Sequence, residues 1–147
     1  MSDLRDLYQE VILDHGRKPR NFGPLADANR HANGFNPLCG DKVSVHLKVE
    51  DGIVRAIHFE GAGCAISTAS ASLMTEALVG KPERDARALF DEFHRLVVGD
   101  GASGEHLGKL VVFTGVREYP SRVKCATLAW HTLNAALEND GREVTTE

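Results

Sequence analysis

Three cysteines and one aspartate have the types and spacing with which this chain can do chemistry. Cys39 lies in Asn36-Pro37-Leu38-Cys39-Gly40-Asp41, a turn that immediately precedes an alternating apolar segment. Cys64 closes the run Gly61-Ala62-Gly63, and Cys125 follows Arg122-Val123-Lys124. Separations of 25 and 61 positions between successive cysteines exclude the local Cys-x-x-Cys pairs of zinc ribbons and fingers. A shared site therefore has to be built by the fold from three separate loops. Gly40 has no Cβ, so the chain can turn tightly enough there to aim Cys39 and Asp41 at one point. Three thiolates and a carboxylate suit a tetrahedral Zn²⁺. The carboxylate is a harder and weaker partner for zinc than a thiolate, so such a site is more exchangeable than a four-cysteine one. Three unrelated thiols remain the alternative reading of the same residues.

Position adds to composition. Cys64 is expected at the start of a helix and Cys125 in the first turn of another. A helix N-terminus offers unpaired N–H groups and the positive end of the dipole, which predicts lowered thiol pKa values for both. The seven histidines carry less. His46 and His58 read as surface strand residues and His94 and His131 as helical ones, while nothing fixes His106 near the cysteines. Ser67, Ser70 and Ser72 lack a Gly-x-Ser-x-Gly elbow and read as helix packing. Gly61-Ala62-Gly63 lacks the Gly-Lys-Ser/Thr of a phosphate loop.

The elements that must position these residues follow from periodicity. Leu4, Leu7, Tyr8, Val11 and Ile12 share one face of a helix ending near Gly16. A basic, breaker-rich loop from Gly16 to Pro24 comes next and offers a docking surface. Val43, Val45, Leu47 and Val49 alternate with polar residues, Asp51-Gly52 signals a turn, and Ile53 to Phe59 returns as a second strand. A third strand is expected around Ala32 to Phe35. Helices are expected from Cys64 to Val79, from Arg84 to Val98 and from near Lys124 onward, with a glycine-rich loop from Gly99 to Gly108. Leu107 to Phe113 is an apolar segment of no evident type, and the polar tail 139–147 is expected to fray. The result is an α+β fold, a small antiparallel three-stranded sheet packed with helices in a single domain spanning 1–147.

The whole composition bounds the function. At 147 residues, 42% hydrophobic and 26% charged, the chain can bury a core without disulfide or metal staples. A net charge of -4 argues against a nucleic-acid partner. No run approaches the roughly 18 apolar residues of a membrane span. The first residues do not resemble a signal peptide, so a cytoplasmic, reducing location is expected, with cysteines kept as thiols.

The three cysteine segments, in this order, resemble the U-type iron–sulfur cluster assembly proteins. The likeness extends to Leu7-Tyr8-Gln9-Glu10-Val11-Ile12, Asp14-His15 and Pro19-Arg20-Asn21, and covers the chain to about Leu137. One branch of that family is the scaffold on which a [2Fe-2S] cluster is assembled, and its third cysteine is typically preceded by His; here that position is Lys124. The glycine-containing insertion from about Gly99 to Gly115 marks the other branch, which is SufU-like. The resemblance then implies zinc held by Cys39, Asp41, Cys64 and Cys125. It also implies acceptance of persulfide sulfur from a cysteine desulfurase on Cys39, and delivery to downstream iron–sulfur assembly proteins. In the mechanism it implies, a histidine of the desulfurase replaces one thiolate on zinc, and turnover needs that partner. Arg122, Lys124 and the Arg17–Arg20 loop can hold the anionic sulfur or meet the desulfurase. The scaffold reading, with iron or a [2Fe-2S] cluster on the same ligands, stays as the alternative.

Overall fold

The computed structural model describes residues 2–37, 40–99, 106–138 and 143–145, the first six and the last three of these as backbone only. Helix α1 (Ser2–Arg17) leads into strands β1 (Arg30–Asn36), β2 (Asp41–Glu50) and β3 (Ile53–Ala62). Helices α2 (Ala65–Leu78) and α3 (Glu83–Val98), a 3₁₀ segment (Gly108–Glu118), helix α4 (Pro120–Glu138) and strand β4 (Glu143–Thr145) complete the order.

The expected three-stranded antiparallel sheet is present as β3-β2-β1. Its long hairpin turns at Asp51 (φ 54°) and Gly52 (φ 74°), two left-handed residues in succession, which matches the twist of the strands it joins. The alternation in β2 divides the sheet cleanly. Val43, Val45, Leu47 and Val49 are buried, while Ser44, His46 and Lys48 face away from the core. Helices α2 and α4 cover the apolar face. Behind them Phe93 stacks on Trp130 at 4.6 Å between ring centroids and meets Phe113 edge-on at 5.8 Å.

Three expectations change. Part of the polar tail is ordered, because β4 pairs in parallel with β1, Asn33 opposite Glu143, and takes its backbone bonds from that edge. The segment of no evident type is a 3₁₀ helix, in which Leu110, Phe113 and Val116 continue a threefold recurrence from Leu107 at its N-cap, all four buried. The last helix begins at Pro120, four residues before Lys124, because proline is suited to a first helical position. Much of the glycine-rich loop lies outside the described residues. No helix among those described is long and apolar enough to cross a membrane.

Candidate metal centre

Asp41, Cys64 and Cys125 are brought together, each from a different element. One ligand atom from each lies within 4.8 Å of the other two. Cys39, the fourth residue singled out by the sequence, falls outside the described residues, between Pro37 and the Gly40 turn.

Asp41 opens β2 opposite Asn36, the last residue of β1, so the mouth of the first hairpin is where the two strands separate. Its carboxylate is only 2% exposed. Oδ1 accepts the Cys64 backbone N–H at 3.1 Å, and the Cys64 thiol lies 3.9 Å from Oδ2. That arrangement needs Gly63, since a Cβ there would stand 2.8 Å from Oδ1. Cys64 itself is the N-cap of α2, its sulfur accepting the Ser67 N–H at 3.5 Å. The helix end therefore meets the Cys64 sulfur directly, as its sequence position suggested.

Cys125 differs from expectation. With α4 starting at Pro120, it lies in the second turn, fully buried, and the helix-end argument does not apply to it. Two side chains take that place. The Asn36 Nδ2 donates to its sulfur at 3.9 Å, and Arg122 sits one turn earlier on the same helix face. Hydrogen bonding to the Cys125 sulfur, then the charges of Cys64 and Cys125, hold the exposed Arg122 guanidinium above its ordinary value. Arg122 also lines a groove of about 780 Å³ walled by Tyr8, Ile12, Ile66, Val116 and Tyr119. The groove thus reaches from the surface to the side chain that contacts the thiols.

The donor set fits a thiophilic cation of borderline softness. Two sulfurs and a carboxylate oxygen converge, the carboxylate is withdrawn from water, and a guanidinium stands by to offset the excess negative charge of three deprotonated ligands.

The remaining candidates are used elsewhere. His106 is held by Glu92 of α3 at 3.1 Å. Ser70 accepts the Trp130 indole N–H at 3.1 Å and donates to the Ala126 carbonyl, which bolts α2 to α4. Ser72 accepts the Arg20 backbone N–H at 2.9 Å and contacts the His15 Nδ1 at 2.7 Å, which fastens the basic loop to α2. The Arg20 side chain is paired with Asp14 at 2.7 Å. In the sequence Asn36 belongs to the segment around Cys39 and carries no signal of its own. Its role at Cys125 has no local signal, because it depends on α4 crossing the end of β1.

Residues 7–126 match the family model described as the NifU-like N terminal domain. The chain is 40% identical over 139 residues to the iron–sulfur cluster assembly scaffold protein IscU of Streptococcus pyogenes serotype M1, covering 94% of this chain and 87% of that one. It is 38% identical over 140 residues to the zinc-dependent sulfurtransferase SufU of Bacillus subtilis (strain 168), covering 95% of each. A crystal structure from Fervidobacterium islandicum AW-1, assigned as an iron–sulfur cluster assembly scaffold protein for the SUF system, superposes with a TM-score of 0.84 at 34% identity, over 87% of this chain and 94% of that one. The fold, the order of the cysteine motifs and these likenesses agree: the chain belongs to the NifU-like N-terminal domain family, the U-type iron–sulfur cluster assembly proteins.

Proposed function

We propose that this protein is a zinc-dependent sulfur-transfer protein of iron–sulfur cluster assembly, with Cys39, Asp41, Cys64 and Cys125 as zinc ligands. The observation that carries the reading is the convergence of Asp41, Cys64 and Cys125 beside Arg122. Bound zinc would keep the thiols deprotonated without redox chemistry of its own. The sulfur donor is a cysteine desulfurase carrying a persulfide on its own cysteine. The Cys39 thiolate attacks the outer sulfur of that persulfide. A new S–S bond forms on Cys39, the donor S–S bond breaks, and the donor cysteine leaves as a thiolate, so no net oxidation or reduction occurs. Arg122 stabilises the anionic sulfur from the groove side. Gly40, at φ 76°, takes a left-handed conformation that a side chain would resist, at the position between the two proposed ligands Cys39 and Asp41. A reducing cytoplasmic location and downstream assembly proteins as recipients complete the proposal.

The scaffold reading has support in the name of the Streptococcus pyogenes relative, and thiolates hold a [2Fe-2S] cluster as readily as zinc. Lys124 in place of the scaffold branch's histidine favours sulfur transfer. The test is elemental analysis of the purified protein, followed by anaerobic addition of a desulfurase and cysteine. About one zinc per chain, no visible chromophore and faster sulfide release are expected. Cys39→Ser should abolish the acceleration while the fold is retained. Iron with a brown chromophore that passes to an apo-protein would overturn the reading in favour of the scaffold, and acceleration retained by Cys39→Ser would remove Cys39 as the acceptor.

A further inference from the structure

The solvent face of the sheet carries a second group of metal-ligating side chains that the proposed cysteine chemistry does not use. His31 on β1 is paired in register with His46 on β2, and His46 with His58 on β3, so three imidazoles form one row across the strands. Two of them converge. The His31 and His46 Nδ1 atoms are 2.8 Å apart, with the rings edge-to-face at 5.0 Å. On the other side of the His46 ring, Nε2 lies 2.8 Å from the Glu60 Oε1. His58 is turned away and contacts the Pro24 carbonyl through Nδ1 at 3.0 Å.

The hydrogen bonds fix what each nitrogen can do. The Glu60 carboxylate accepts, so the neutral His46 ring carries its proton on Nε2 and presents the Nδ1 lone pair toward His31. This is the carboxylate–histidine arrangement that orients imidazole ligands in metal sites and raises their basicity. With both rings neutral and no metal bound, His31 Nδ1–H is then the donor to that lone pair. Moving the same proton to His31 Nε2 frees its Nδ1, with no proton released to solvent, and leaves two lone pairs pointing into the gap between the rings. Two imidazoles on a tetrahedral Zn²⁺ stand about 3.3 Å apart, given Zn–N bonds of about 2.0–2.1 Å. The pair therefore has to open by about half an ångström and each ring has to turn by roughly 35° to aim its lone pair at the ion, which side-chain rotation on an open sheet face allows.

We infer that His31 and His46, oriented by Glu60, form a second divalent-cation site for Zn²⁺ or a neighbour of similar softness, with water completing its coordination. The site is separate from the cysteine cluster. His46 is five residues along β2 from Asp41, which is about 17 Å and, the number being odd, on the opposite face of the sheet.

The test is a titration of the protein with Zn²⁺, following the imidazole ¹⁵N resonances, which report on the histidines whatever occupies the cysteines. The Nδ1 resonances of His31 and His46 should shift together and saturate. His31→Gln and His46→Gln should each abolish that response, and Glu60→Gln should weaken it roughly 10–100-fold. His58→Gln should leave it unchanged. Absence of a saturable response at millimolar Zn²⁺, or a response that survives the double substitution of His31 and His46, would overturn the site. Loss of the response in His58→Gln would overturn its assignment to this pair.

Discussion

A Cβ on Gly63 would stand 2.8 Å from the Asp41 Oδ1 and 3.1 Å from its carboxyl carbon. The sequence offered Gly61-Ala62-Gly63 as a fragment of a phosphate loop and rejected it for want of a lysine. The structure supplies the reason for the third residue, which is to let a buried carboxylate lie against the backbone beside Cys64. A substitution there tests whether the carboxylate matters without changing any ligand. In Gly63→Ala the Asp41 carboxylate has to shift away from the backbone, which weakens its bond from the Cys64 N–H and moves its oxygens relative to the two sulfurs. Zinc affinity, read by competition with a chromophoric chelator, should fall roughly tenfold or more. Stability of the metal-free protein should fall by only about 1 kcal/mol, the cost of one partly buried hydrogen bond. Unchanged zinc affinity would remove Asp41 from the ligand set.

Helix α4 delivers Cys125, and its seat on the sheet is another glycine. Gly34 of β1 lies under Thr132 and Leu128, with the Thr132 Oγ1 only 2.0 Å from where a Cβ would be. Gly34→Ala should lift α4 from β1 and destabilise the protein by about 1–3 kcal/mol in denaturant unfolding, as overpacking of a filled core does. It should also weaken zinc binding, although Gly34 is not a ligand, because Cys125 moves with the helix while Asp41 stays with the strand. Stability lost with zinc affinity intact would mean that the strain at Gly34 is relieved without moving the Cys125 end of α4. Elements of this kind were legible where they are amphipathic. The β2–β3 hairpin showed in its alternation and Asp-Gly turn, and α3 stops at Gly99, whereas α2 ends at Leu78 with Val79 extended, one residue short of Gly80. What escaped had a different signal. The threefold recurrence of Leu107, Leu110, Phe113 and Val116 belongs to neither the helical nor the strand period. Strand β4 has no apolar pattern, since an edge strand of three residues is held by the backbone of its neighbour. Pro120 opens α4 ahead of the apolar periodicity, which begins only near Lys124. For the candidate site, residue type and spacing point to Cys39, Asp41, Cys64 and Cys125, of which the described residues Asp41, Cys64 and Cys125 lie together. The contact of Asn36 with Cys125 depends on how α4 crosses the hairpin mouth, which no local pattern encodes, whereas that of Arg122 follows from its place three residues before Cys125 on the same helix.

Stability of the whole molecule should depend on pH through histidines that folding keeps neutral. His15, near the end of α1, is 2% exposed and contacts Ser72 of α2 at 2.7 Å. Burial, followed by the Arg20 guanidinium, holds its pKa below the ordinary value, against a smaller opposing attraction from Glu76 and Asp14, with Lys109 acting in the same direction as Arg20. Burial, with the charge of His94, does the same to His131 in α4. The unfolded chain takes up protons at these residues near pH 6.5, where the folded protein still refuses them. The unfolded state therefore binds more protons in that window, and stability rises with pH across it. The contribution is fully present above about pH 6.5 and is lost as the pH falls toward the folded values. Calorimetric melting of the metal-free protein isolates this effect, since no ligand thiolates then compete between proton and metal. Its melting temperature should drop between pH 7.5 and pH 5.5, and His15→Gln should reduce that drop without abolishing it, because His131 remains. An unaltered pH dependence in His15→Gln would show that the His15 proton is not linked to folding. The linkage reaches the site because α1 packs on α2 and walls the groove beside Arg122. Acid that charges His15 should accordingly loosen that wall before it unfolds the sheet.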